Sequence, residues 1–154
     1  MGQVTWRGAK FDEQTRDMLV ELDKLVGPNV QIRPTQGSYS TAVGASAGTH
    51  AGGGAVDLSV AKLNAFQVQL VVFLARRVGF AAWHRTPSEG PWVAHIHMIN
   101  KTARDAAPAA KRQVSAYRAG KNGLASGKPD KHTSLGAPIT ATWASYLANW
   151  PRGR

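Results

Sequence analysis

The chain has 154 residues, enough for one domain with a sizeable core. Its 43% hydrophobic and 18% charged residues are typical of a globular protein and exclude a disordered one. There is no Cys, so disulfides and thiolate metal sites are excluded and any zinc must be held by His and carboxylate side chains. We expect no transmembrane segment, since no stretch approaches roughly 18 apolar residues, and no signal peptide, since MGQVTWRGAK has no apolar region.

The net charge of +10 is concentrated towards the C-terminal end. Residues 1–100 contain nine Lys or Arg and seven Asp or Glu, whereas residues 101–154 contain ten and two. A cationic segment attracts polyanions, which include nucleic acid, anionic lipid and the anionic polymers of a bacterial wall. Its Lys and Arg are spread among Gly, Ala and Pro without a recognition motif, so we expect no specific nucleic-acid partner.

An amphipathic helix is predicted over residues 11–26. The apolar residues that recur there at helical spacing are Phe11, Met18, Leu22, Leu25 and Val26. Gly27 and Pro28 end this helix. Residues 29–39 then form a short extended segment or an irregular loop, because a proline at position 34 cannot donate a ladder hydrogen bond.

Residues 40–54, with the sequence STAVGASAGTHAGGG, are predicted to form a loop. Its small side chains let the backbone pass close to a ligand or a metal, and a plain flexible linker is the alternative. The strand predicted directly afterwards, over residues 55–60, favours the first interpretation. Its strict alternation places Asp57 on the polar face and Val56 and Leu58 on the face that enters the core.

A buried helix and two strands are predicted next. The helix covers residues 63–79, with Asn64 as its candidate N-cap and Gly79 as its candidate C-cap. Strands over residues 80–84 and 92–99 are joined by the turn RTPSEGP. Alternation along the second strand places both histidines of its HIH motif on one face.

The last third predicts a basic helix over residues 108–120, an irregular stretch over 122–138 and a final helix over 141–150. Apolar and aromatic residues share one face of the final helix: Trp143, Tyr146, Leu147 and Trp150. Two roles are open for this segment. It can bind a polyanion, it can pack on the preceding body through these aromatic residues and Tyr117, and the two roles are compatible.

The clearest chemical signal comes from three of the five histidines and one aspartate. His50 and Asp57 lie in SAGTHAGGGAVDLSV, and His95 and His97 lie in WVAHIHMIN. A catalytic zinc takes three protein ligands and leaves one position for water, so His50, Asp57 and His97 would form a site for hydrolysis rather than for structure. His95 leaves the same strand face roughly 7 Å from His97, which suits a proton shuttle beside the metal.

The alternative is that these histidines are ordinary surface or core residues. A lone His on a strand is usually an ordinary surface or core residue. Here an HxH pair occurs together with a His and an Asp around a glycine-rich loop, and this combination makes coincidence the weaker interpretation. We interpret His84 and His132 as ordinary residues, with a contact to a metal ligand as a secondary option for His84.

These motifs resemble those of a known group of metallopeptidases. GTHAGGGAVDLS resembles the H-x(6)-D motif of the zinc D-Ala-D-Ala metallopeptidases, and HIH resembles the HxH motif of the wider group that includes lysostaphin-type enzymes and hedgehog domains. The resemblance implies that His50, Asp57 and His97 bind Zn²⁺ and that His95 acts in catalysis. It also implies an α+β fold, with helices packed on one side of a small antiparallel sheet and zinc in a groove on the sheet.

Two departures from the group's pattern bear on the chemistry. Many members carry a Glu three residues before the last ligand, where this chain has Ala94, so His95 is the better candidate base and Glu89 a remote alternative. Members often carry an Arg in an SGYRS-like segment, where this chain has QGSYS. This second departure favours an endopeptidase over a strict carboxypeptidase. The candidate substrate contacts are Arg33, Gln36, Ser38 and Tyr39.

The sequence thus predicts a zinc peptidase domain over residues 1–105 and a basic C-terminal extension over 106–154. The resemblance implies hydrolysis of the peptide stems or crosslinks of bacterial peptidoglycan, as endopeptidase or D,D-carboxypeptidase. A phage endolysin is the expected setting: made in the host cytoplasm without a signal peptide, acting at the wall, with the basic extension on anionic wall polymers. The alternative is a zinc-containing wall-binding module without catalysis. No oligomeric state is predicted.

Overall fold

A computed structural model describes residues 2–40, 48–132 and 138–149 and has the predicted α+β fold. Its strands are β1 (Gln3–Trp6), β2 (Ala9–Asp12), β3 (Pro34–Gln36), β4 (Ala55–Ser59), β5 (Phe80–Arg85) and β6 (His95–Asn100). Its helices are α1 (Glu13–Val26), α2 (Ala65–Val78), α3 (Pro108–Arg118) and α4 (Trp143–Ala148). Within the described ranges, no helix has the length and apolar character needed to cross a membrane.

A four-stranded antiparallel sheet in the order β3-β4-β6-β5 forms the centre of the fold. Its main core lies between one sheet face and the helices α1 and α2. Val56 and Leu58 of β4 and Ile96 and Met98 of β6 supply that face and are almost fully buried. Alternation therefore turns Asp57 and His97 to the opposite face, as the sequence predicted.

The arrangement of helices on one side of the sheet holds for α1 and α2 but not for α3. Tyr117 of α3 packs with Ala81 and Trp83, which alternate with the core residues of β5 and therefore lie on the opposite face. The T-shaped Trp83–Tyr117 contact, with ring centroids 5.8 Å apart, holds α3 there. This helix covers part of the face that carries the histidines.

The helix boundaries follow local capping chemistry. Asn64 and Gln67 form a capping box at the start of α2, and Gly79 ends it in the left-handed conformation, as predicted. The helix predicted from residue 11 begins instead at Glu13, because Asp12 accepts a hydrogen bond from the backbone of Thr15 and acts as the N-cap.

The chain before α1 is a β1-β2 hairpin that the sequence analysis did not predict. Its two-residue turn is Arg7-Gly8, and both residues have positive φ, as the tight turns that match the twist of a hairpin require. Phe11 therefore lies on β2 rather than in the helix, yet it still enters the core.

The described parts of the C-terminal segment pack on the body. The hydroxyl of Tyr117 donates to the carbonyl of Ile139, 2.8 Å away, and that of Tyr146 donates to Glu21, 2.6 Å away. Trp143 also packs against the core, whereas Trp150 lies outside the described residues. Packing on the body, one of the two predicted roles of this segment, is therefore present. The domain boundary after residue 105 stays a prediction.

Burial of His132 predicts an acid-sensitive fold. This side chain is 2% exposed, and burial lowers its pKa from 6.5 to about 4. Between those two pH values the unfolded chain binds the proton and the folded protein does not, so stability falls as the pH drops through this window. We expect His132→Gln to remove about 2 to 3 kcal/mol of the stability difference between pH 7 and pH 4.5, measured by urea unfolding. The same difference in variant and wild type would contradict this.

Candidate metal centre

The sheet register brings the two sequence motifs together. Asp57 on β4 is paired with His97 on β6, which is paired in turn with Trp83 on β5. The carboxylate Oδ1 of Asp57 lies 2.9 Å from Nδ1 of His97. Residues 40 positions apart in the chain thus become direct neighbours on one sheet face.

His50 reaches this pair from a short 3₁₀ turn, Thr49–Ala51, that precedes β4. Its side chain is 1% exposed, and its Nδ1 lies 2.8 Å from the carbonyl oxygen of Gly37. Because a carbonyl only accepts, Nδ1 carries the ring proton and Nε2 presents a lone pair. Nε2 lies 3.3 Å from Oδ1 of Asp57 and has no hydrogen-bond partner among the described residues. A buried polar atom in that state calls for a partner, and a bound ion or a water molecule would supply one.

Glycines hold the His50 turn in place through close backbone contacts. A Cβ on Gly52 would collide with the carbonyl oxygen of Asp105, so the two chain segments touch there. Gly54 has a φ of 85° and donates its backbone N–H to Oδ1 of Asp12, 2.9 Å away. The close approach at these glycines is therefore to the protein's own chain, whereas the sequence predicted an approach to a ligand or a metal.

His50, Asp57 and His97 form the group that could hold a metal ion. One candidate ligand atom from each lies within 4.8 Å of the other two. Tetrahedral zinc with ligand distances of about 2.1 Å separates its ligand atoms by about 3.4 Å, which small side-chain shifts would reach. Two imidazoles and one carboxylate are also a donor set that suits zinc.

The electrostatics of the group favour a bound cation. Burial raises the pKa of Asp57, but its polar contacts with His50 and His97 lower it by more, so the carboxyl is ionised. Burial lowers the pKa of His97, which disfavours a proton on this ring. The ionised Asp57 carboxylate therefore lies beside ring nitrogens of His50 and His97, and these three side chains offer a donor set that could hold a metal ion.

His95 stands beside this group without belonging to it. Its Nε2 lies 3.7 Å from Oδ1 of Asp57, and its Nδ1 lies 2.8 Å from the carbonyl of Val93. The carbonyl fixes the proton on Nδ1, so Nε2 faces the site with a lone pair that can take a proton. Ala94 precedes β6, so no carboxylate occupies that position.

A groove of about 630 Å³ runs past the group. Pro91, Trp92 and Val93 supply apolar surface along it. Glu89, the alternative base, also lines the groove, but its Oε1 already accepts from the backbone of Thr86 and from Lys131. Of these two candidate bases, His95 is therefore the one whose ring nitrogen is left facing the group.

The four predicted substrate contacts lie in different surroundings. Gln36 lines the groove, and Arg33 is exposed. Ser38 is buried and its hydroxyl donates to the carbonyl of Ala55, 3.0 Å away, while the hydroxyl of Tyr39 donates to Oδ2 of Asp105, 2.6 Å away. The last two bonds hold the glycine-rich turn, so of the four only Gln36 has a position suited to substrate.

Two residues that line the groove, Arg85 and Gln113, were not predicted from the sequence. Arg85 is 3% exposed, burial lowers its pKa to about 10, and its Nη2 has no hydrogen-bond partner among the described residues. Strand alternation could have predicted Arg85, because residues 83 and 85 lie on the same sheet face as the two histidines of HIH, with which they are paired. Oε1 of Gln113 lies 2.6 Å from Nε2 of His97. No sequence pattern predicts this contact, because it depends on where α3 packs on the sheet.

The chain has no match among protein-family models, curated proteins or solved structures. The family resemblance therefore depends on the two sequence motifs alone.

Proposed function

We propose that this protein is a zinc-dependent peptidase that hydrolyses the peptide stems or crosslinks of bacterial peptidoglycan. The observation that carries the catalytic part is the buried, unpartnered Nε2 of His50 beside Asp57 and His97 at the side of a groove. The resemblance of GTHAGGGAVDLS and HIH to the wall-peptidase motifs supports the substrate class.

Different side chains of the site have different roles in the proposed hydrolysis. Zinc, when bound by His50, Asp57 and His97, supplies Lewis acidity that activates water and polarises the scissile carbonyl. His95 takes a proton at Nε2 as the water attacks and returns it to the leaving amine. The apolar side of the groove, with Trp92 and Val93, excludes water from one flank of a bound peptide.

A phage endolysin is the setting we propose. Such an enzyme is made in the host cytoplasm and reaches the wall once the membrane is opened, so it needs no signal peptide. Exposed basic residues after position 105 would then hold it on anionic wall polymers.

The test is mass spectrometry of purified peptidoglycan incubated with the protein, with chelator, and with chelator followed by zinc. The proposal predicts fragments that carry a new peptide amino terminus, lost with chelator and restored by zinc. Unchanged peptidoglycan from several wall types, with zinc shown to be bound, would contradict the peptidase.

That second result would favour a zinc-containing wall-binding module. Ala94, at a position where many related enzymes carry a Glu, is the observation that favours this alternative. It predicts retention on walls without new peptide termini, which the same incubation measures after the walls are sedimented.

Neutralising the exposed charges of α3 should separate wall binding from cleavage. Lys111, Arg112 and Arg118 are exposed and contact none of the proposed ligands. Changing all three to Gln should weaken sedimentation with walls by about tenfold at low salt and less at high salt. Cleavage of a small soluble peptide should remain.

The matched control changes three exposed lysines elsewhere, Lys10, Lys24 and Lys62, to Gln, which removes the same charge. Equal losses of wall binding in the two variants would show that net charge, not this helix, is responsible.

A further inference from the structure

His97 is held from both of its ring nitrogens. Nδ1 lies 2.9 Å from Oδ1 of Asp57, in the candidate metal centre, and Nε2 lies 2.6 Å from Oε1 of Gln113. Gln113 belongs to α3, in the basic C-terminal segment, and its side chain lines the groove. A residue outside the two motifs therefore contacts a proposed ligand directly.

The bond to Gln113 favours one tautomer of the ring. A neutral imidazole has one N–H and one lone pair, and the amide oxygen of Gln113 can only accept. Oδ1 of Asp57 can also only accept, so without a metal ion the two contacts compete for the single hydrogen. With a metal ion at Nδ1, the hydrogen would be on Nε2 and Gln113 would accept it. A metal ligand needs its lone pair on the atom that faces the metal.

Within the described part of the chain, no other contact of His97 favours a hydrogen on Nε2. Trp83 stacks on the ring with an interplanar angle of 13° and a centroid distance of 6.2 Å, which fixes the ring plane but not the position of the proton. The ring is 6% exposed, so water is a poor substitute for Gln113 at Nε2. Loss of the amide would leave a buried N–H without an acceptor.

We infer that Gln113 is a positioning residue for the metal centre: it fixes the tautomer and orientation of His97 so that Nδ1 is presented to the metal. This inference rests on the proposed zinc centre. It makes α3 part of that centre, so the segment after residue 105 does more than carry charge. It also predicts that deletion of residues 106–154 removes zinc affinity together with wall binding.

The test compares zinc affinity in the full-length wild-type protein, Gln113→Leu and Gln113→Glu, by competition with a chromophoric chelator. Leu keeps the bulk of the side chain and removes the acceptor, and we expect a loss of about 10-fold to 100-fold in affinity. Glu keeps the acceptor and makes it stronger, so affinity should equal or exceed that of the wild type.

Gln69→Leu is the matched control. Gln69 also accepts from a buried histidine, with its Oε1 3.3 Å from Nδ1 of His132, but that pair is not part of the candidate centre. This variant should leave zinc affinity unchanged. The ¹⁵N NMR shifts of His97 in the zinc-loaded protein provide a second readout, and they should report a proton on Nε2 in the wild type and in Gln113→Glu.

The outcomes separate the inference from the proposed function. Wild-type affinity in a folded Gln113→Leu variant would overturn the role of Gln113 and leave the zinc centre standing. If that variant does not fold, Gln113→Glu decides: tenfold weaker binding or a proton on Nδ1 overturns the inference. A wild-type protein that binds no zinc would overturn the centre itself, and the inference with it.

Discussion

Asp57→Ala and His97→Ala should each leave the protein without retained zinc and without peptidase activity. Zinc sites built from four protein ligands have binding free energies of about 10 to 16 kcal/mol, or roughly 2.5 to 4 kcal/mol per ligand. Loss of one ligand should therefore weaken zinc binding by a factor of about 10² to 10³. Zinc content after dialysis, measured by elemental analysis, and peptide release measure the two losses.

Asp57→Ala should weaken zinc binding more than His97→Ala does. Asp57 supplies the negative charge of the group, and its Oδ1 lies 3.3 Å from Nε2 of His50, 3.7 Å from Nε2 of His95 and 2.9 Å from Nδ1 of His97. His84→Ala is the control, because that side chain alternates with the groove-facing residues of β5 and is not in the metal-binding group. It should keep its zinc. Full zinc occupancy in Asp57→Ala would show that the metal is held elsewhere.

His95→Ala should keep zinc and lose most of the chemistry. Its Nε2 faces the site but stands 3.7 Å from the nearest oxygen of Asp57, outside the group that could hold the metal. A positioned acid or base contributes about 10² to 10⁴ in rate, so kcat should fall by that factor while KM for a soluble stem peptide changes little.

His95→Gln separates the loss of proton transfer from the loss of a polar side chain. Gln has a similar reach but cannot take up a proton from water at neutral pH. His95→Gln should be as slow as His95→Ala. If either variant loses its zinc, His95 is a ligand, and the assignment of three ligands and one acid/base is incorrect.

Periodicity and spacing predicted the centre of the site because they fix which side chains share a face. Alternation in AVDLSV and HIHMIN placed Asp57 and His97 away from the core, and antiparallel pairing then made them neighbours. The approach of His50 to that face was predicted by the resemblance. Its hydrogen bond to Gly37 and the contacts of the glycines with Asp105 are long-range details that spacing does not encode.

The departures from prediction also have physical causes. QVTW is too short for a strong strand signal, so the β1-β2 hairpin went unpredicted and Phe11 was assigned to the helix. The sequence predicted a basic helix near α3 but not the sheet face on which it packs. Tyr117 finds its apolar partners, Ala81 and Trp83, on the histidine face. A sequence pattern shows that a helix is amphipathic without showing which surface it will cover.

The claim on which both proposals depend is that His50, Asp57 and His97 hold one zinc ion. Its most direct test is a crystal structure of the zinc-loaded protein with diffraction data on both sides of the zinc absorption edge. We predict one anomalous peak per chain, about 2.0 to 2.2 Å from Nε2 of His50, an oxygen of Asp57 and Nδ1 of His97, with His95 beyond bonding distance. No peak, or a zinc ion held by other side chains, would contradict it.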